Sequence, residues 1–145
     1  KIQPMANGIK FFIGNIQDEL LKFCQSNKII VIGYMPLAKG HLLKNEKIGT
    51  IAQKYNKTNS QICIRYVVQK GVIPVPKSSH SKYILQNADI DFEIDKEDME
   101  FLDNLKIAIN LKQNSSGTKK AINNLKRFIR SIIGSRIYYR LKYRN

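Results

Sequence analysis

The stretch V72-I-P-V-P-K-S-S-H-S-K-Y-I-L-Q-N87 constrains the fold of this chain more than any other. A short apolar run, Val72 to Val75, ends at Pro76. Lys77, Ser78 and Ser79 follow, and Ser81 to Asn87 then reads as a helix. The pattern is a strand, a turn carrying a cation and two hydroxyls, and a helix N-terminus. The first N–H groups of a helix have no carbonyl partners and lie at the positive end of its dipole, so this combination favours an anion such as phosphate. The run V31-I-G-Y-M-P-L-A-K-G40 repeats the design with an apolar strand, an aromatic and a small-residue loop. Two such strand-to-loop elements separated by helical sequence suggest an α/β barrel with its ligand at the C-terminal ends of the strands.

The remaining segments fit that order. Met5 to Phe12 alternates weakly and reads as a strand, and Gln17 to Asn27 as a helix with Leu20, Leu21 and Phe23 apolar. Ile29 to Tyr34 is a continuous apolar run, the form of a parallel strand covered on both faces. Lys47 to Tyr55 predicts a short helix. Thr58 caps a second one over Asn59 to Gln69, closed by Gly71. Asp95 caps a helix over Lys96 to Leu105, with Asp98 three residues on as an acidic version of a capping box. Strands alternating with helices imply parallel strands joined by helical crossovers.

Three blocks carry a resemblance. I32-G-Y-M-P-L-A-K-G40, T58-N-S-Q-I-C-I-R-Y-V-V-Q-K-G-V-I-P-V-P-K-S-S79 and F92-E-I-D-K-E-D-M-E-F-L-D-N-L105 resemble, in order and spacing, the C-terminal portion of an aldo/keto reductase. The resemblance covers residues 1–106. It implies about three βα units from the C-terminal part of a (β/α)8 TIM barrel. It also implies NADP(H) as cofactor and hydride transfer to or from an aldehyde or ketone. In the family the lysine matched by Lys77 pairs with the 2′-phosphate that distinguishes NADP from NAD, with Ser78 and Ser79 beside it. Read without the family, Lys77 is equally a solvated loop lysine. Tyr34 matches the aromatic that stacks on the nicotinamide, or else simply packs in the barrel. Leu37, Lys39 and Gly40 fall in the loop over the pyrophosphate. Asn87 matches an adenine-contacting asparagine, or else caps its helix.

Two departures stand out. Where the family has an arginine six residues after the lysine, this chain has Tyr83, which can stack on adenine but cannot form a bidentate phosphate pair. Where the family has a glutamine contacting the nicotinamide carboxamide, this chain has Gly8. The family's catalytic Asp, Tyr, Lys and His belong to the N-terminal half of the barrel, so no catalytic residue is expected here. His41 and His80 lack carboxylate or cysteine neighbours at catalytic or metal spacing and read as solvated. No metal site is expected.

Length bounds the rest. A barrel of this type needs about 250 residues, and the chain has 145. The expectation is a fragment, or a chain that needs a partner for the missing half, because a half barrel leaves strand edges unpaired. Cys24 and Cys63 read as buried free thiols. No apolar run is long enough for a membrane-spanning helix, and a cytoplasmic location is expected. The formal net charge of +14 is uneven: residues 1–105 carry 14 Lys and Arg against 11 acids, whereas residues 106–145 carry 11 Lys and Arg and no acid. Residues 107–118 read as a polar linker and 119–145 as a basic, partly helical, amphipathic tail. Three roles are open for that tail: an anionic membrane surface, nucleic acid, the least favoured of them, or docking on a barrel or partner. The alternative to an enzyme part is a non-catalytic barrel remnant acting through this tail.

Overall fold

The computed structural model describes residue 2 and residues 4–107, all within one unit spanning Lys1–Ile109. The expected tail and nearly all of the expected linker lie outside the described residues. Three strands, β1 (Ala6–Lys10), β2 (Ile30–Tyr34) and β3 (Ile73–Val75), form one parallel sheet in that order. Among the described residues five α-helices accompany them: α1 (Asp18–Ser26), α2 (Glu46–Lys54), α3 (Asn59–Gln69), α4 (Ser81–Ala88) and α5 (Lys96–Asp103). The βα order expected from the sequence is present.

The sheet has two unlike faces. Ile9, Val31 and Gly33 are buried on the helix-covered face. A Cβ on Gly33 would meet Val72 Cγ1 at 2.8 Å, Phe11 Cβ at 3.2 Å and Val67 Cγ1 at 3.4 Å, so only glycine lets α3 approach the strand this closely. On the other face Ile30, Tyr34, Ile73 and Val75 are 51%, 45%, 54% and 53% exposed. In a closed barrel this face points inward, so the bare apolar surface is what a partial barrel presents. Ile29 to Tyr34 therefore has one covered face here rather than the two its continuous apolar run suggests.

Several boundaries differ from expectation. β1 stops at Lys10 rather than Phe12. Phe11 and Phe12 are buried in the turn that follows, where Phe12 bridges Asn15; they are apolar because they plug the core. Phe23 on α1 points outward at 59% exposure, and Cys24 takes its place inside. The two thiols are free and buried, and burial pushes Cys63 up to about 12.

Helix α3 is the pin of the fold. Thr58 and Gln61 close a capping box, with the Gln61 backbone N–H donating to Thr58 Oγ1 and the Thr58 N–H to Gln61 Oε1. Gln61 Nε2 also donates to the Asp89 carbonyl at 2.7 Å, holding the end of α4. At the other end Gln69 exchanges two hydrogen bonds with the backbone of Ile94. The acidic box expected at α5 is half right. Asp95 Oδ1 accepts from the Asp98 N–H. The Asp98 carboxylate turns away to Lys54 Nζ (2.8 Å) and Tyr55 Oη (2.8 Å), and the Asp95 N–H donates to Tyr55 Oη instead. A distant cation outcompetes the local backbone donor.

This clamp predicts an acid limb of stability. Its hydrogen bond from Lys54 holds the Asp95 carboxyl down at about 2, and the hydrogen bond from Lys57 lowers Asp89 likewise. A carboxyl depressed on folding contributes stability above its unfolded value, near about 4, and loses it as pH falls through the folded value. The thermal midpoint should fall between about pH 4 and pH 2. The fall should be modest, because Lys54 and Asp95 are half exposed and screened. A midpoint unchanged from pH 5 to pH 2 would contradict this account.

Candidate functional site

The C-terminal ends of β2 and β3 open into connected clefts. The loop after β2 contains a kinked 3-10 stretch over Ala38–Lys44. Met35, Ala38, Lys39 and Gly40 all have positive φ there, 61°, 47°, 58° and 89°. Only Gly40 adopts that region without steric cost; three side-chain-bearing residues in it mark stored strain. What holds the loop is α3. Asn59 Nδ2, in its first turn, donates to the Asn45 carbonyl at 3.0 Å and the Leu42 carbonyl at 3.4 Å. Asn45 in turn caps α2 by accepting from the Ile48 N–H.

One cleft, about 520 Å³, lies between this loop and the end of β3, with Leu37, Lys39, Gly40 and Lys77 in its wall. A second, about 370 Å³, has walls from Leu37, Lys77, Ser78, Tyr83 and Asn87, and the first turn of α3 contributes Thr58, Asn59 and Ser60. Lys77 lines both, and a third hollow beside α4 as well. Neither Lys77 nor Lys39 is paired with an acid among the described residues. Lys39 and Lys77 face the first cleft, and Lys77 shares the second with the N-terminus of helix α3. The electrostatic character is that of an anion site.

Most residues expected from the sequence meet here. Leu37, Lys39, Gly40, Lys77, Ser78, Tyr83 and Asn87 share the connected clefts. Ser78 Oγ donates to the His80 carbonyl and accepts from the His80 N–H, both at 3.3 Å, which shapes the turn. Ser79 does not join them: it is exposed and lines none of these clefts. Tyr83 meets His80 edge to face, with centroids 5.7 Å apart. Asn87 is not a helix cap. α4 continues to Ala88 with Asp89 as its C-cap, and the Asn87 side chain turns to Ser60 instead.

Tyr34 stands apart from Lys39 and Lys77, at the mouth formed with Gly8, Lys10, Asn15 and Gln17. It pairs in register with Lys10 on one side and Val75 on the other, so Val75 links its hollow to the clefts. A Cβ on Gly8 would meet nothing within 4 Å, so the space a side chain would fill there is open. Asn15 Nδ2 and Gln17 Nε2 both donate to the Lys10 carbonyl, at 2.9 and 2.6 Å.

Sequence reasoning missed Asn59, Ser60, Leu43 and Gln86 in the cleft walls. The capping box at Thr58 gave the start of α3. Its meeting with α4, 27 residues later, left no local signal.

Parallel strands with helical crossovers, and clefts at the strands' C-terminal ends, define part of a barrel-type α/β fold. The aldo/keto reductase family model matches residues 1–107, and the chain belongs to that family. It is 44% identical over 106 residues to an uncharacterised oxidoreductase of Schizosaccharomyces pombe and 41% identical over 106 residues to glyoxal reductase of Bacillus subtilis. Each match covers 72% of this chain and 38% of the relative. An aldo-keto reductase of the silkworm Bombyx mori, solved in complex with NADPH, superposes with a TM-score of 0.68 at 29% identity, covering 75% of this chain and 37% of that one. The chain thus spans under two-fifths of the length of these relatives.

Proposed function

We propose that residues 1–106 form the cofactor-binding C-terminal part of an NADP(H)-dependent aldo/keto reductase. The supporting observation is Lys77: a cation at the end of β3 with no acidic partner among the described residues, in the wall of three clefts, one of them shared with the N-terminus of α3. NADPH, when bound, supplies the hydride that passes to an aldehyde or ketone carbon.

The chain's own residues bind and orient. Lys77 and Ser78 receive the phosphate of the adenosine end, and Tyr83 offers a ring face to the base. Leu37, Lys39 and Gly40 cover the diphosphate, where Gly40 permits close backbone approach. Tyr34 presents a flat face for the nicotinamide. The residues fit the group: Lys39 and Lys77 have no acidic partner among the described residues, the walls are largely apolar, and the aromatic is exposed. At Gly8 nothing reaches the carboxamide, which loosens the grip on that end.

The proton is a different matter. Reducing a carbonyl requires an acid at the developing alkoxide. Tyr66 is buried with its hydroxyl on Asp103, and Tyr55 bonds Asp98, both on the helical layer away from Tyr34. Burial raises the pKa of both phenols, which opposes proton release. In this reading the acid belongs to the other part of the barrel. The 145-residue chain should therefore quench or shift NADPH fluorescence on binding and yet oxidise no NADPH with a reactive aldehyde. Turnover by the pure chain would overturn the assignment of roles, and absence of NADPH binding would overturn the cofactor assignment.

A further inference from the structure

We propose that the bare face of the sheet docks on the same face of a second copy of this chain, about a two-fold axis parallel to the strands that brings β1 of one copy beside β3 of the other. This inference does not rest on the cofactor reading above.

Residues in register on neighbouring parallel strands share a face. The register therefore puts Ala6 beside Ile30, and Gly8 beside Ile32 and Ile73, on the bare face, with Val75 one step further along β3. The face is stepped. Along β1 it carries Ala6 and Gly8 before Lys10, and a Cβ on Gly8 would meet nothing within 4 Å, so this side is a trough. Along β3 it carries Ile73 and Val75, 54% and 53% exposed, so that side is a ridge. A two-fold axis parallel to the strands sets the ridge of each copy against the trough of the other. An axis across the strands would set ridge on ridge and leave trough facing trough. The trough and the ridge thus choose the first arrangement, which is a closed, self-complementary contact.

The area is sufficient. Ile30, Tyr34, Ile73, Val75 and Ile84, which lies next to Val75 across a hollow, are each about half exposed. A large side chain in that state presents on the order of 100 Å², so these five offer roughly 500 Å² per copy. A two-fold contact then buries roughly 1,000 Å², the least that a specific interface needs. Lys10 is the only charged strand residue on this face, and it stands at the C-terminal end, where its ammonium can reach water.

The contact also completes a wall. The hollow of about 560 Å³ formed by Val75, Lys77, Ile84 and their neighbours takes no residue from β2 or its loop, so it opens on the side of β3 away from β2. In the dimer the end of the second copy's β1, with its lysine, borders that opening. The second copy brings no new type of acid to the strand ends, in keeping with a chain that binds without turnover.

Sedimentation velocity of the 145-residue chain should show a dimer with a dissociation constant on the order of 10 µM, the weak end for so small an interface. Ile73→Asp should weaken association about hundredfold or more, because the contact would bury two unpaired carboxylates. Gln53→Asp, on the exposed side of α2, should leave association unchanged. The orientation is read by cross-linking with a short bis-maleimide, since Cys24 and Cys63 are buried. Gly8→Cys mixed with Ile73→Cys should join far more readily than either variant alone, and this arm stands even where Ile73→Asp fails to fold. Gly8→Cys joining to itself as readily as to Ile73→Cys would overturn the proposal. A monomer at about 100 µM would overturn it as well, and one in which Ile73→Cys resists maleimide would show that the chain covers this face itself. A dimer that binds no NADPH would uphold this inference and overturn the cofactor reading alone.

Discussion

Lys77→Ala should weaken NADPH binding about tenfold to hundredfold while changing NADH binding far less. A hydrogen bond to a charged group contributes about 1.5–3 kcal/mol, and each ~1.4 kcal/mol is a factor of ten. The full effect is expected because no acid competes for Lys77 among the described residues and because it sits where the clefts meet. The starting preference for NADPH should nevertheless be modest. Tyr83 offers a ring face and one hydroxyl where an arginine would add a second, forked cation, and the ring is half exposed. Lys77 is also solvent-exposed, so part of its contribution is screened by salt. Fluorescence titrations with both cofactors at low and high salt decide the matter. Equal losses for NADPH and NADH would show that Lys77 does not read the 2′-phosphate.

What the sequence revealed and what it hid divide along the range of the interactions. β2, β3 and α3 announce themselves locally: apolar runs ending at Tyr34 and Val75, and a Thr-x-x-Gln box in which Thr58 and Gln61 bond each other across three residues. Lys77 was legible for the same reason, since a strand, a turn and a helix start are consecutive. The loop after β2 was not. Its positive φ values at Met35, Ala38 and Lys39 have no signature in those residue types, and the far end of the loop is tied down at Leu42 and Asn45 by Asn59, 17 and 14 residues further on. Asp98 misled for a related reason. Its spacing from Asp95 suits a capping box, but Lys54 and Tyr55, more than 40 residues back, bind it more strongly than a backbone N–H would. Asn87 looked like a possible cap until Ser60 claimed its oxygen. Phe11 and Phe12 extended the apparent strand because apolarity reports burial rather than strand pairing. Ser79 shared the local signal of Lys77 and Ser78, but one residue along a tight turn is enough to point it outward.

Tyr66→Ala should be the most destabilising single change outside the clefts, at about 3–5 kcal/mol by the usual cost of removing a buried aromatic. Tyr66 is fully buried on α3. Its hydroxyl donates to Asp103 Oδ1 at 2.5 Å, joining α3 to the last residue of α5, and Lys70 Nζ meets the other oxygen of that carboxylate at 2.6 Å. The Lys70 ammonium lies 5.7 Å from the Tyr66 ring centroid, a cation–π contact that the truncation also removes. Truncation leaves a ring-sized void and strips Asp103 of one of its two partners. The companion change Tyr66→Phe keeps the ring and leaves Asp103 with Lys70, so it should cost only about 1–2 kcal/mol. Denaturant midpoints of the two variants at constant slope would separate packing from hydrogen bonding. A loss under about 1 kcal/mol for Tyr66→Ala would mean that α3 is not the pin described above. The consequence reaches the clefts, because the same helix presents Asn59 to the β2 loop and Ser60 to Asn87 at its other end. A stability lost at the C-terminal half of α3 should therefore appear as weakened cofactor binding at its N-terminus, two full turns away.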